Sequence, residues 1–352
     1  MTSSPRPEGP PRAEPPEDRR RRPPPPLPGS PRLRSALLDQ GLGDVSLRHA
    51  VRAGAAERLV RGLYVGGQVL SPASAPPDLT RPPSPGLTPA EVLTLRGLTA
   101  DAVHAASHRT AALLHGIPMS PSDGGGSGEL HLTRTDGRKA LRRRGDVISH
   151  RAEVPRGQLT CVEGILVTTP ARTWADLTGQ HSLLELLIMA DQLLRVPRHE
   201  FGEEGQALVL PQEPTEVVAA RRGARGVRTA REAAALARVG VDSVRETQLR
   251  FALHQAGLPE MEVNPRLPHQ EGGRTRVYQP DLFLREAMLG IQYEGRHHSD
   301  PAQVERDVSR AELAEEMGIL EVRITDRHSR PEWRPAVAKV SRALRRRGRL
   351  RT

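Results

Sequence analysis

Cysteine, lysine and aromatic residues are all scarce in this chain, and each shortage excludes something. Cys161 is the single cysteine, so an internal disulfide and a cysteine-based zinc cluster are both impossible. Aromatics make up 2% of the chain and hydrophobic residues 36%, so any core must rest on Leu, Val, Ala and Ile. No apolar run approaches the roughly 18 residues that span a bilayer. The charged N-terminus lacks the apolar stretch of a secretory signal. The expectation is therefore a cytoplasmic protein with no membrane partner. Lys139 and Lys339 are the only lysines, which leaves the rest of the 52 basic residues to arginine.

What is present is positive charge. A net charge of +10 and a sequence pI near 10.9 favour a polyanionic partner, and nucleic acid is the expected one. Arginine suits that role because its planar guanidinium donates hydrogen bonds in pairs to phosphate and guanine.

At 352 residues the chain is long enough for two or three domains. Residues 1–33 are Pro- and Arg-rich, including RRRRPPPP, and read as a disordered tail. Residues 34–66 change character. A short helix at Ser35–Leu38 precedes a second, LRHAVRAG, with Ser46 as the expected cap and Gly54 as the stop. AERLVRGLYVGG then reads as two strands around a turn at Arg61-Gly62. Helix, helix and β-wing outline a small winged helix-turn-helix, whose second helix enters the major groove. Arg48, His49 and Arg52 fall on its exposed side, and Arg58 and Arg61 on the wing, as the expected DNA contacts.

Residues 67–90 are a Pro/Ser-rich linker, and 91–196 read as an α+β domain. It opens with a helix over Ala100–His115 and continues with strands at 129–133, 146–151 and 164–169. Thr169-Pro170 is a helix start, an N-cap followed by proline. The helices ARTWADL and LLELLIMADQLLR complete the unit. The basic loop at 134–145 reads equally as a phosphate-binding segment or a hairpin tip. Ser107, His108 and Asp176 have the residue types of a catalytic triad. No nucleophile elbow surrounds Ser107, however, and packing and capping are the expected roles. Residues 197–239 form a basic, helical connector.

The C-terminal domain, 240–345, is followed by a basic tail at 346–352. Its first helix runs from a Ser243 cap to Gly257 and carries Glu246 on the same stripe as Leu249 and Leu253. An acid on an inward stripe is costly unless paired. Val277–His298 then reads as a strand, a turn at 285–287 and a second strand. Alternation along the strands gathers Asp281, Gln292 and Glu294, with His297 and His298 just beyond. Carboxylates clustered at strand ends suit a hard cation such as Mg²⁺. A helix at 302–317, a strand at 319–325 and a last helix at 332–345 complete an α/β core.

RETQLR with Glu246, QPD with Asp281, QYEGRHH, and Asp307-x-x-Arg310 leading to Gly318 and VRIT occur in that order. Together they resemble the very-short-patch-repair-like branch of the PD-(D/E)xK nuclease superfamily, which implies a restriction-endonuclease-like fold. Upstream, LVRGLYV, ASHRTAALLHGIP and GILVTTPARTWADL resemble the actinobacterial AbiEi-type antitoxin and transcriptional-regulator family. The two resemblances cover about residues 34–345.

The resemblance implies metal ligation by Asp281, with Glu246 and Glu294 as further acids and His298 orienting or protonating a leaving group. Where relatives read E-x-D-G, this chain reads Gln292-Tyr293-Glu294-Gly295, so an amide replaces a central charge. An intact site would use Mg²⁺ to polarise a phosphodiester and acidify a water. Three readings follow: a DNA-binding regulator with a degenerate nuclease site, a working Mg²⁺-dependent endonuclease, and a module that binds a cognate toxin protein.

Overall fold

The computed structural model describes residues 31–60, 62–66, 86–119, 128–138, 146–197, 206–294 and 301–349, with the side chains of 301–307 left aside. The chain is mixed α and β and divides into two compact units, 1–80 and 81–352. None of its described helices is long and apolar enough to cross a membrane.

In the first unit, β1 (Arg32–Leu33), α1 (Arg34–Asp39) and α2 (Asp44–Arg52) precede the hairpin of β2 (Ala56–Val60) and β3 (Leu63–Gly66). The strands form an antiparallel sheet in the order β1-β3-β2. Leu37, Leu42, Leu47, Ala50 and Ala56 make a small core, with Tyr64 packed against it. α2 begins two residues before the expected cap. Gly43 is its N-cap, and Ser46 lies within the helix. Asp44 explains the earlier start: its negative charge suits the first turn, and Arg34 pairs with it.

The second unit opens with α3 (Pro89–Thr99), closed at its start by a capping box in which Thr88 and Glu91 satisfy each other's backbone N–H groups. The helix expected over Ala100–His115 is not one element. The Asp101 carboxylate accepts the backbone N–H groups of Val103 and His104 and so turns the chain. β4 (His104–Ala106) and the shorter α4 (His108–His115) follow.

Then come β5 (Leu130–Arg134), β6 (Val147–Arg151), β7 (Leu159–Val162), β8 (Ile165–Thr168), α5 (Pro170–Leu177) and α6 (Leu183–Leu193). The five strands are ordered β6-β5-β4-β8-β7. β5 and β6 pair in parallel, so the connection between them is a crossover and not a hairpin tip. Its residues 139–145 lie outside the described residues. Thr169 caps α5 as expected, accepting from the Arg172 N–H, with Pro170 at the first turn.

The stretch expected as a basic helical connector is two helices, α7 (Glu213–Ala219) and α8 (Val227–Leu236). Val209, Val218, Ala230 and Ala233 pack with Trp174, Leu186 and Ala190 in one core. Gly226, at φ +77°, makes the turn between them, and a side chain there would overlap the Thr178 carbonyl.

The remaining elements are α9 (Val244–Gln255), β9 (Glu262–Val263), β10 (Leu267–Glu271), β11 (Arg274–Tyr278), β12 (Leu282–Leu284), β13 (Leu289–Glu294), α10 (Pro301–Glu316), β14 (Leu320–Thr325) and α11 (Arg334–Arg346). Ser243 caps α9 as expected, and Gly257 follows at φ +71°. β12 and β13 are antiparallel, joined by a single helical turn at Arg285–Ala287. β13 and β14 are parallel, so α10 is a crossover helix. The sheet order is β14-β13-β12-β9. Leu249, Leu253, Leu282, Ile291, Ile324 and Val340 belong to its core.

A buried carboxylate joins the two halves of this unit. Asp191, on α6, is fully buried and accepts from the Arg238 N–H at 2.8 Å, Thr247 Oγ1 at 2.9 Å and Arg250 Nη2 at 2.7 Å. Thr247 and Arg250 both belong to α9.

Candidate functional sites

Antiparallel pairing of Leu282 with Ile291 sets Asp281 beside the end of β13. Gln292 Nε2 donates to Asp281 Oδ1 at 2.9 Å, and the Tyr293 N–H donates to Oδ2 at 2.6 Å. The structure thus brings Asp281 and Gln292 together, with the amide facing the carboxylate through its nitrogen. Gln292 Oε1 is buried with no hydrogen-bond partner.

Glu294 lies 3.3 Å from Arg323 Nη1, on the neighbouring β14. Glu246 is buried in the first turn of α9. It accepts from the Asp242 N–H, Ser243 Oγ and Asn264 Nδ2 at 2.8–3.2 Å. Burial pushes its carboxyl above the usual range, opposed by those donors. The Asn264 N–H reaches the Asp281 carbonyl at 3.0 Å, so one residue separates Glu246 from Asp281.

Among the described residues, no three carboxylates bring ligand oxygens within 4.8 Å of one another. A hard cation needs several free oxygens, and both oxygens of Asp281 already accept hydrogen bonds. The described carboxylates therefore form no ready-made Mg²⁺ cluster, although Gln292 Oε1 and Glu294 Oε1 are buried oxygens without hydrogen-bond partners. His297 and His298 lie outside the described residues.

On the first unit, Arg48, His49 and Arg52 are exposed on α2, and Arg58 is exposed on β2. Leu47, Arg48, Val51, Arg52, Glu57, Arg58 and Tyr64 line one open groove between helix and hairpin. Among the described residues, none of the four basic side chains is held in an ion pair. Arg61 lies outside the described residues.

Sequence reasoning missed a third constellation, in the five-stranded sheet. The ligand nitrogens of His108, His131 and His150 lie within 4.8 Å of one another. Parallel register sets His150 beside Thr133, so His131, Thr133 and His150 share a face of the sheet. The start of α4 is pinned over that face. The Ser107 N–H donates to the His131 carbonyl, and the His131 N–H donates to Thr110 Oγ1.

His131 Nδ1 and His150 Nε2 are 3.1 Å apart. The His108 ring stacks on His150 at 3.7 Å between centroids. Burial lowers all three imidazoles, His108 to about 3 and His131 to about 4, so the rings are neutral at neutral pH. The nearby Asp176 opposes that shift at His108 and His150.

Ser107 is fully buried and accepts from Thr133 Oγ1 at 2.7 Å. That burial fits the packing role expected for Ser107, whose Oγ also lies 3.0 Å from His108 Nδ1. The Ser107 side chain makes no cap hydrogen bond to α4, so the capping role does not hold. The available signal for the cluster was density: five histidines, at 104, 108, 115, 131 and 150, fall in one stretch of the chain.

No known protein-family profile matches the chain. It is similar to two uncharacterized proteins of Mycobacterium tuberculosis, one from each of two strains, at 30% identity over 188 residues. The match covers 53% of this chain and 65% of each relative, just under two thirds of their length.

Proposed function

We propose that this chain is a DNA-binding protein of the antitoxin and transcriptional-regulator kind. In this reading α1, α2 and the β2–β3 hairpin act as a winged helix-turn-helix. The C-terminal domain keeps a restriction-endonuclease-like fold whose nuclease site is degenerate. The observation that carries the reading is the exposed basic face of Arg48, His49, Arg52 and Arg58 on a helix and the hairpin beside it. A helix with side chains of that type fits a major groove, and a basic hairpin fits the adjoining phosphates. The hydrogen bonds that hold Asp281 and Glu246, and the ion pair of Glu294 with Arg323, support the retired nuclease site.

The test is a salt titration of duplex binding. Each arginine–phosphate contact contributes about 0.9 to the slope of log affinity against log salt. Replacing Arg48 and Arg52 with alanine should lower that slope by about 2 if both reach phosphate. An unchanged slope and affinity would remove α2 from the interface.

One observation favours a second reading, an active Mg²⁺-dependent endonuclease: the buried, unpartnered Gln292 Oε1 beside Asp281 is an oxygen open to a cation. Plasmid cleavage in Mg²⁺ that disappears in Asp281→Ala would select it. Binding without cleavage selects the regulator.

A further inference from the structure

We propose that His108, His131 and His150 form a binding site for a divalent transition-metal ion of the zinc type, with the fourth position left to water. Nitrogen ligands at roughly 2.0–2.1 Å from a tetrahedral zinc lie about 3.3 Å apart. His131 Nδ1 and His150 Nε2 are already 3.1 Å apart, and the third imidazole lies within 4.8 Å of both. Ring centroids 5.2 Å apart for that first pair and 5.9 Å for His108 with His131 leave room for an ion between them. His108, stacked on His150, is the ring that must turn to complete the set.

Two further observations point at the same place. His108 is held at φ +49°, in the left-handed region that side chains other than glycine seldom adopt, and backbone of that kind concentrates at functional sites. Asp176 has an almost fully buried side chain, and its Oδ2 has no hydrogen-bond partner. Its Oδ1 is taken by Arg172 Nε at 3.0 Å and Arg221 Nη1 at 2.6 Å. Asp176 acts electrostatically on both His108 and His150. Among the described residues, no imidazole is hydrogen-bonded to Asp176 Oδ2 in this arrangement, so it is left to accept from His108 once that ring turns, and a carboxylate so placed fixes a ligating imidazole and strengthens it as a donor. Arg109 and Arg221 also act on the cluster. Their charge disfavours a purely electrostatic guest, so the site selects an ion that imidazole binds well over Mg²⁺.

The competing account of the same geometry is a hydrogen-bonded stack of imidazoles with no metal. Titration of the chelator-stripped full chain with Zn²⁺ and Co²⁺ separates the two. One equivalent bound per chain, with the visible absorption of four-coordinate Co²⁺, is the expected result. His131→Gln and His150→Gln should each weaken binding by about 100-fold or more, and Asp176→Asn by about 10–100-fold. His254→Gln, an exposed histidine on α9, should leave binding unchanged. Absence of stoichiometric binding overturns the proposal, as does binding that survives in folded His131→Gln and His150→Gln proteins. Imidazole resonances of the unaltered chain supply a readout that needs no variant. Zn²⁺ must shift those of His108, His131 and His150, and no shift at these rings overturns the assignment.

Discussion

Replacing Gly290 with alanine tests the packing that positions β13. A Cβ at that position meets Tyr278 Oη at 2.5 Å and the ring carbons Cε1 and Cζ at 3.3 Å. Tyr278 cannot swing away freely. It is fully buried among Leu267, Phe283, Leu313, Ala314 and Ile319, and its hydroxyl donates to Glu321 Oε2 at 3.0 Å. Overpacking of this kind costs about 1–3 kcal/mol. Tyr278→Phe alone removes the hydrogen bond to a charged acceptor, a loss of about 1.5–3 kcal/mol.

The two changes should not add. Removing the hydroxyl also removes the 2.5 Å overlap and leaves only the two 3.3 Å carbon contacts, which a small ring shift relieves. The double variant should therefore be more stable than the sum of the singles predicts, by about 1–2 kcal/mol of coupling. Urea unfolding of the four proteins, with a common slope, measures it. Additive losses, or a Gly290→Ala protein as stable as the parent, would refute the close approach of β13 to Tyr278.

Three other outcomes are expected. Asp191→Ala leaves Arg250 buried beside no carboxylate and should cost about 3–5 kcal/mol, whereas exchanging both residues for apolar ones of similar volume should cost far less; both are read by denaturant melts. Gly226→Ala should destabilise by more than about 2 kcal/mol, because it strains a backbone at φ +77° and collides with the Thr178 carbonyl; a thermal melt no lower than the parent's would contradict this. In metal-free protein, stability should fall as pH drops below 6.5. His108 and His131 stay neutral in the fold down to about 3 and about 4 while the unfolded chain takes up protons, at up to about 1.4 kcal/mol per pH unit for each histidine. Unfolding midpoints between pH 7.5 and 5 should show this slope, and His131→Gln should reduce it.

Features written in local signals were legible in the chain. Ser243 before an apolar helical stripe, Thr169-Pro170, and the two strands that meet at Arg285–Ala287 state their structure within a few residues, but the first strand, expected to run on from Val277, is broken at 279–281 between β11 and β12, which lie in different sheets. Their consequence, Asp281 against Gln292, was legible for the same reason. What escaped was either masked locally or fixed by distant partners. β4 is three residues of His-Ala-Ala with no strand signature, and it exists because β5 and β8 flank it. The β10–β11 hairpin turns through Gly272-Gly273, at φ +56° and +78°, a local signal that alternation in polar strands left unread. Parallel pairing of β5 with β6 cannot be seen in either strand alone. The histidine cluster depends on that pairing, so it was invisible even though each histidine was in view. The helical reading of the 197–239 connector ran past Gly223 and Gly226 because alanine and arginine on both sides favour helix equally.

The buried carboxylate of Asp191 has a consequence for how such a chain is inherited. Its hydrogen-bond donors come from both sides of the boundary that composition suggests near residue 240. A recombination event that exchanged the C-terminal module would have to deliver a hydroxyl and a guanidinium at the positions of Thr247 and Arg250. Otherwise the recipient would carry an acid sealed from water with a single backbone donor. Exchange of the segment after residue 240 without those two donors would therefore cost several kcal/mol unless Asp191 were replaced as well.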